Sequence, residues 1–187
     1  MRDLIVTENI TLDGVIEATG EWFAADGGGE DFVAVNRAHM AAADAVLLGR
    51  VTYEQFAGYW PAQTDDTTGV SDYLNRTRKY VVSATLEKAE WAHTTILRGP
   101  LAEEVAALKR QPGKDIVVAG SVTLAQALVR EGLVDEYRLI VNPVLLGRGR
   151  RLFPDGTADT LRLTNTRTFR SGIVLLTYRS AGEEAAR

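Results

Sequence analysis

The feature that most constrains the fold of this chain is the order in which its strand-like and helix-like segments follow one another. Up to residue 131, short runs rich in Val, Ile and Leu alternate with segments of helical character. The predicted strands of this part are Leu4–Asn9, Ala45–Leu48, Lys79–Ser83, Thr94–Leu97 and Asp115–Ala119, and the predicted helices are Asp31–Ala43, Thr52–Tyr59, Val70–Thr77, Leu101–Arg110 and Thr123–Glu131. Such alternation predicts a mainly parallel sheet with helices on both faces.

The last third of the chain shows a different pattern. Three segments, 136–144, 160–170 and 173–179, are rich in β-branched and other apolar residues and have no predicted helix between them. Arg170-Ser171-Gly172 is a tight-turn signal that joins two antiparallel strands. We therefore predict a single-domain, three-layer α/β/α fold over residues 1–180, with a mixed sheet and antiparallel C-terminal edge strands. Residues 181–187 are predicted to be a frayed tail.

Composition and charge exclude several classes of function. The 187 residues include no cysteine, which excludes disulfide frameworks, thiolate zinc sites and cysteine nucleophiles. A net charge of −4 argues against general binding to nucleic acid or to anionic membranes. No segment approaches the ~18 apolar residues of a membrane span, and Asp3 and Glu8 interrupt the region where a signal peptide needs an apolar core. We expect a cytoplasmic protein with neither a nucleic-acid nor a membrane partner.

Two strand-to-helix junctions carry the strongest functional signal. Gly49 follows the second predicted strand and Gly120 follows the fifth, and a predicted helix comes next in both cases. A glycine lets the backbone approach a ligand closely, and a helix N-terminus offers unpaired N–H donors and partial positive charge. Phosphate uses both features best, so the pair favours a dinucleotide site. Many α/β proteins contain one such junction without any ligand.

Several polar side chains accompany these junctions. Thr52 with Gln55, and Thr123 with Gln126, have the spacing of a capping box, which predicts that the helices start near the threonines. Arg50 has the fork geometry that binds phosphate oxygens in pairs. The alternative interpretation is a surface arginine bonded to local carbonyls. Ser83 is suited either to bonding a ribose or phosphate or to closing a strand-end turn.

A polar segment of about 20 residues, 11–31, lies between the first strand and the first helix. Loops of that length are usually functional or disordered. Asp13 and Asp31 are its best-placed acids, and two carboxylates near one apolar pocket would raise each other's pKa. Trp22 and Phe23 are able to cover a flat ring, although packing under the loop is the simpler interpretation. For Asp31, the simpler interpretation is that it caps the first helix.

Other chemistries have no support in the sequence. There is no GxxxxGK[ST] loop, and the run that starts at Gly147-Arg148-Gly149 lacks the third glycine of a Rossmann fingerprint. We interpret that run as a bend between strands. His39 and His93 have no metal-ligand spacing, so no metal site is predicted. Seven arginines lie within residues 138–170, and solvated strand faces or a subunit contact explain them better than a ligand site.

Taken in order, these segments resemble the dihydrofolate reductase-like superfamily. The similarity is greater to stand-alone reductases akin to the C-terminal domain of RibD, the bacterial riboflavin-biosynthesis reductase. It spans about residues 2–180, and it rests on the order and spacing of short segments: Thr11-Leu12-Asp13-Gly14, Leu48-Gly49-Arg50-Val51-Thr52-Tyr53-Glu54, Lys79-Tyr80-Val81-Val82-Ser83, Val118-Ala119-Gly120-Ser121-Val122-Thr123-Leu124 and Asn142-Pro143-Val144-Leu145-Leu146-Gly147.

The resemblance implies an NADPH-binding cleft and hydride transfer to a pterin- or aminopyrimidine-like molecule. It assigns cofactor binding to three groups of residues, which are Asn9 near the carboxamide, Gly49, Arg50, Thr52 and Ser83 toward the adenosine end, and Gly120, Ser121, Val122 and Thr123 around the diphosphate. Asp13 and Trp22 would contact the substrate, and Asp13 or Asp31 would supply or relay the proton. A homodimer is also implied, with 143–153 as a candidate contact.

We therefore expect an NADPH-dependent oxidoreductase with a small-molecule substrate. Two alternatives stay open. A nucleotide-binding module without catalysis would show the same two junctions. A true dihydrofolate reductase is the less favoured alternative, because the acid after Trp22 lies further along the chain and no proline lies between them.

Overall fold

The computed structural model describes residues 1–17, 22–23 and 29–181. The strands are β1 (Leu4–Thr11), β2 (Ala43–Gly49), β3 (Arg78–Val82), β4 (Thr94–Leu97), β5 (Asp115–Val118), β6 (Glu136–Asn142), β7 (Leu161–Thr168) and β8 (Val174–Ser180). The helices are α1 (Glu30–Ala42), α2 (Arg50–Tyr59), α3 (Val70–Arg76), α4 (Leu101–Arg110) and α5 (Val122–Arg130), with a short 3₁₀ turn at Trp60–Ala62. Every predicted element is present, with ends that differ by no more than two residues. The frayed tail predicted from residue 181 lies, from residue 182 onward, outside the described residues.

The strands form one eight-stranded mixed sheet in the order β4-β3-β2-β5-β1-β6-β8-β7. All neighbours from β4 to β6 are parallel, and β8 and β7 add antiparallel strands at the edge. This arrangement confirms the predicted fold class. The turn at Arg170-Ser171-Gly172 is also confirmed, because Gly172 has a φ of 86° and its amide donates to Phe169.

Helices cover both faces of the sheet. The connection from β1 to β2 runs in one direction along the sheet, and the connection from β5 to β6 runs in the other. Right-handed crossovers then place α1 and α5 on opposite faces. Accordingly, Phe32 of α1 packs in one hydrophobic cluster with Ile140, whereas Leu124 of α5 packs in another with Leu139, the adjacent residue of β6.

The core explains why these segments form their elements. In α5, Leu124, Ala125, Leu128 and Val129 are buried, which gives the helix one apolar stripe. In β1, the successive side chains Leu4, Ile5 and Val6 are all buried, as expected of a strand covered on both faces. Within the described ranges, no helix combines the length and the apolar character needed to cross a bilayer.

The starts of α2 and α5 differ from the prediction. Their N-caps are Gly49 and Ser121, so Thr52 and Thr123 lie inside the first turn, and neither cap makes a side-chain hydrogen bond. The predicted capping boxes are therefore wrong. Gln126 instead donates to the backbone oxygen of Arg151, at 2.7 Å.

Candidate functional site

The candidate site lies where β1 and β5 end. Ligands of open α/β sheets bind outside the carboxyl ends of the strands, at the point where successive connections diverge to opposite faces. In this sheet the connections after β1 and β2 run one way and the connection after β5 runs the other, so such a point flanks β5 on each side. The last paired residues of β1 and β5 are Val6 and Val118. β1 continues to Thr11, so its residues from Thr7 onward extend beyond the end of β5.

The two glycine junctions meet beside this crevice. A Cβ atom built on Gly49 would overlap Ser121 Oγ and would lie 3.1 Å from Ser121 Cβ. A Cβ atom built on Gly120 would lie 3.3 Å from Thr52 Oγ1. Each junction therefore packs against the other, and these close contacts depend on residues 49 and 120 having no side chain. The starts of α2 and α5 are adjacent, as expected if both helix N-termini contribute to one binding site.

Free donors lie at the start of α5. The first amides of a helix have no intrahelical acceptor, and among the described residues no protein acceptor is bonded to the amides of Ser121, Val122 or Thr123. The Gly120 amide is different, because it donates to Glu8 Oε1 at 3.1 Å. The expected role of Gly120 at the diphosphate stays a prediction. Gly120 has a φ of 82° and a cis peptide bond to Ser121.

Glu8 is an acid in direct contact with the junction. It is half-buried, and its side chain extends from the same face of β1 as Leu4, Val6 and Ile10. Burial raises the pKa of Glu8 to about 8, although the hydrogen bond from Gly120 lowers it. At neutral pH the carboxyl is therefore mostly protonated and uncharged, which suits a site for an anionic ligand.

Arg50 and Ser83 are the residues that the resemblance assigns to the adenosine end of the cofactor. Arg50 is the first residue of α2, and its Nη1 bonds both carboxylate oxygens of Glu54, at 3.0 and 3.1 Å. This pair is solvent-exposed and contributes little free energy, so Arg50 is able to exchange Glu54 for a phosphate at small cost. Ser83 follows β3, next to β2, and its Oγ accepts from the amides of Thr85 and Leu86. Ser83 thus closes a strand-end turn, the second interpretation of that residue.

Arg150 is a basic residue that sequence reasoning did not assign to the site. Its Nε bonds Glu17 Oε1 at 2.7 Å, and its Nη1 lies 3.5 Å from Thr123 Oγ1. Thr123 belongs to the first turn of α5, so the guanidinium lies beside the free amides of that turn. The segment that carries Arg150 is held there by an antiparallel bridge between Val15 and Arg151.

Asn9 lies further along β1, on the opposite face of the strand from Glu8. Its Oδ1 accepts from Asn142 Nδ2 at 3.3 Å, across the β1–β6 pair. The described hydrogen bonds leave the side-chain N–H₂ of Asn9 without a protein acceptor, so a carbonyl of a ligand is a suitable partner for it.

Asp13 makes hydrogen bonds that hold two segments of the chain together. Its carboxylate accepts from the Thr11 hydroxyl and from the amides of Leu146 and Gly147. The Thr11 and Gly147 hydrogen bonds lower the pKa of Asp13 to about 2. The expectation that a second carboxylate raises its pKa is therefore wrong, and Asp13 is ionised at neutral pH. It ties the end of β1 to the segment after β6.

Asp31 and Trp22 have separate partners. Asp31 Oδ1 accepts from the Phe32 amide at the start of α1, and Oδ2 accepts from the Arg170 amide in the β7–β8 turn. These are the partners of a helix-start acid, and no hydrogen bond links Asp31 to Asp13 within the described ranges. Trp22 Nε1 donates to the backbone oxygen of Glu17, and its ring lies against Phe23. Residues 18–21 and 24–28 of the long loop lie outside the described residues. The substrate and catalytic roles of these residues stay predictions.

A separate cavity of about 750 Å³ lies at the C-terminal end of α5. Arg130, Gly132, Tyr137 and Phe153 contribute to its lining. A nine-residue helix is roughly 13 Å long, so this cavity is distinct from the junctions at the start of α5. It has no glycine-hinged helix N-terminus, and we base no ligand assignment on it.

The donor set of the junctions fits a dinucleotide. The amides of Ser121, Val122 and Thr123 lie at the start of α5, and Arg150 Nη1 lies 3.5 Å from Thr123 Oγ1 in the same turn. The sequence gives no direct signal for Arg150, because a bridge between two residues distant in sequence, Val15 and Arg151, brings its segment to the site. Glu8 is a detectable candidate, because it is the one charged residue in the run Leu4–Thr11.

Comparisons with known proteins identify relatives along the whole chain. The RibD C-terminal domain family matches residues 2–175. The uncharacterised protein YyaP of Bacillus subtilis (strain 168) is 34% identical over 185 residues, covering 95% of this chain and 94% of YyaP. YwjB of the same strain, also uncharacterised, is 31% identical over 173 residues, covering 92% and 88% respectively.

Solved structures share the fold. A protein from Shewanella sp. PV-4, assigned by inference to riboflavin biosynthesis, has a TM-score of 0.72 and 20% identity over 95% of this chain and 98% of its own. A pyrimidine reductase-like protein from Corynebacterium diphtheriae NCTC has a TM-score of 0.67 and 15% identity over 96% of this chain and 92% of its own. At these identities the structures support the fold and not a shared substrate.

Proposed function

Because the chain belongs to the RibD C-terminal domain family, we propose that it is an NADPH-dependent reductase that transfers a hydride to a pterin- or aminopyrimidine-like small molecule. The observation that carries the proposal is the close approach of the two junctions, where Gly49 leaves no room for a side chain beside Ser121. A diphosphate is the ligand that best uses two adjacent helix N-termini with exposed amides.

The chain binds and orients the cofactor in this proposal. The amides of Ser121, Val122 and Thr123 would donate to the diphosphate, and the Arg150 guanidinium, which is paired with Glu17, would bind a phosphate oxygen. Arg50 and Ser83 lie toward the adenosine end, where a guanidinium selects for a 2′-phosphate and hence for NADPH. Asn9 bonds the carboxamide. The bound dihydronicotinamide supplies the hydride, and alignment with a substrate in the crevice is the contribution of the fold.

The substrate class has weaker support. The solved relative from Corynebacterium diphtheriae is described as pyrimidine reductase-like, and the protein from Shewanella is connected with riboflavin biosynthesis. Both descriptions concern flat nitrogen heterocycles. Trp22 and Phe23 form an edge-on pair with centroids 4.8 Å apart, and such a pair is suited to contact a flat ring.

The test is a substrate panel followed by cofactor absorbance. Purified protein is mixed with NADPH or NADH and with dihydrofolate, other dihydropterins, aminopyrimidines or quinones. We expect oxidation of NADPH, faster than that of NADH, with an aminopyrimidine or a pterin. Oxidation with dihydrofolate alone would favour the true dihydrofolate reductase. NADPH binding measured by calorimetry, without oxidation in any arm, would favour the non-catalytic module, and absence of binding would contradict both.

Two further predictions accompany the proposal. The first is a homodimer whose contact includes residues 143–153, a segment in which Leu145 is 72% exposed. The second is a cytoplasmic location. Light scattering of the purified protein and fractionation of the source cells test them respectively.

A further inference from the structure

We propose that Glu8 is the catalytic acid of this reduction, holding on its carboxyl group the proton that accompanies the hydride. This inference rests on the proposed function. Asp13 and Asp31, the acids expected from the sequence, stay alternatives to Glu8, although both carboxylates accept backbone amides that fix a turn or a helix start.

The position of Glu8 is the first support. Glu8 lies on β1 two residues beyond Val6, the last residue of that strand that pairs with β5. It bonds Gly120, which follows β5 by two residues. The hydrogen bond between them therefore spans the gap between β1 and β5, at the point where the connections diverge and ligands of such sheets bind.

The partners of Glu8 are the second support. Oε1 accepts one amide hydrogen bond, and the hydrogen bonds of the described residues give Oε2 no protein partner. No lysine, arginine or histidine of the described ranges lies within ion-pair distance of it. Asp13, which has a structural role, accepts three hydrogen bonds. Glu8 accepts one among the described residues, so its Oε2 is available to transfer a proton.

The surroundings of Glu8 are uncharged on each element packed against it. Leu139 faces it from β6, Gly120 faces it from the end of β5, and α5 has no acidic residue in its first turn. Arg150, the nearest basic residue identified at that turn, is paired with Glu17. Burial accordingly raises the pKa of Glu8 to about 8, which keeps the acid protonated at neutral pH and close to the value that suits a general acid.

The chemical step balances with this one acid. The electron pair arrives with the hydride at the carbon of a C=N bond, and the π electrons of that bond move to nitrogen. The proton leaves Glu8 Oε2 for the nitrogen, directly or through one water, and an N–H bond forms. Glu8 is left as a carboxylate, and water restores its proton before the next turnover. Protonated Glu8 also adds no negative charge beside the diphosphate.

The first experiment needs neither substrate nor cofactor. Carboxyl ¹³C shifts of labelled glutamate are followed from pH 4 to pH 10 in the wild-type protein, and Glu8→Gln assigns the Glu8 signal. We expect the Glu8 signal to titrate near pH 8. A midpoint near the ordinary glutamate value of 4.5 would overturn the proposal, whatever the protein reduces.

The second experiment uses the substrate that the panel identifies. Glu8→Gln retains an oxygen for the Gly120 amide but has no acidic proton, so kcat should fall by about 100- to 10,000-fold, with little change in NADPH affinity. Wild-type kcat should be level below about pH 8 and fall above it, and Glu8→Asp should restore part of the rate. Thermal unfolding checks that each variant is folded.

Glu104 provides a matched control. It also accepts a glycine amide, that of Gly99 at 2.8 Å, but through a solvent-exposed hydrogen bond at the start of α4. Glu104→Gln should leave kcat and its pH dependence unchanged. Wild-type turnover with an equally active Glu8→Gln variant would overturn the role of Glu8 and leave the reductase intact. Absence of wild-type turnover across the panel would overturn the reductase and, with it, the proton transfer.

Discussion

The contact between Gly49 and Ser121 makes a single methyl group a sensitive probe of the site. Gly49 has a φ of −80° and a ψ of 160°, a backbone conformation that any residue adopts. A change to alanine therefore causes no conformational strain of its own. The new methyl group would overlap Ser121 Oγ and approach Ser121 Cβ to 3.1 Å, so the hydroxyl must rotate and Ser121, at the start of α5, must shift by a few tenths of an ångström.

The size of the effect follows from the cost of overpacking. One additional methyl group in a packed contact costs roughly 1–3 kcal/mol. For a domain of this length, each kcal/mol lowers Tm by about 2–4 °C, so Gly49→Ala should lower Tm by about 2–12 °C. If the displaced amides of α5 hold the diphosphate, an energy of the same size should weaken NADPH binding by about 5- to 150-fold.

The matched control is Gly58→Ala on the same helix, α2. A Cβ atom on Gly58 has no neighbour within 4 Å, and alanine is the better helix former by roughly 0.5–1 kcal/mol. This variant should raise Tm by about 1–4 °C and leave NADPH affinity unchanged. The assays are differential scanning calorimetry and isothermal titration with NADPH. A Gly49→Ala protein that is as stable as wild type and binds NADPH equally well would refute the inference that this contact shapes the site.

Three further predictions follow from single side chains. Arg150→Ala should weaken NADPH binding about tenfold, because a hydrogen bond to a charged group contributes roughly 1.5 kcal/mol. The control variant Arg148→Ala should bind NADPH as wild type does. Calorimetric titration measures both affinities, and equal affinities would remove Arg150 from the site. Asp13→Asn should lower Tm at pH 7. Folding lowers the pKa of Asp13 from 3.8 to about 2, so the carboxylate stabilises the fold above pH 3.8 and loses that stabilisation as the pH falls toward 2. Melting curves of the two proteins that coincide at pH 7 would contradict this. Leu145→Asp should convert the predicted homodimer to a monomer in light scattering, and an unchanged mass would exclude Leu145 from the contact.

The sequence predicts the fold well because hydrophobic patterning and turn residues report on local structure. Strand β1 and helix α4 are examples, and the end of α5 is correctly predicted by Gly132, which has a φ of 62°. The starts of α2 and α5 were less well predicted, because a hydroxyl with the right spacing indicates a cap only if the helix begins there. The backbone at Gly49 and Ser121 turns into the helix earlier.

The candidate site is only partly predictable for a different reason. The glycine junctions are local signals, and the sequence identifies both. The roles of Glu8 and Asp13 depend on Gly120 and Gly147, which lie more than 100 positions away, and the role of Arg150 depends on Thr123, 27 positions away. Burial decides the charge of Glu8, and backbone donors decide that of Asp13. Neither is visible before the chain is folded.

A crystal structure of the protein with NADPH bound tests the central claim most directly. The account predicts that the diphosphate accepts hydrogen bonds from the amides of Ser121, Val122 and Thr123 and lies beside Gly49. A dinucleotide bound instead in the cavity at the C-terminal end of α5, or bound with its diphosphate away from both glycines, would contradict it.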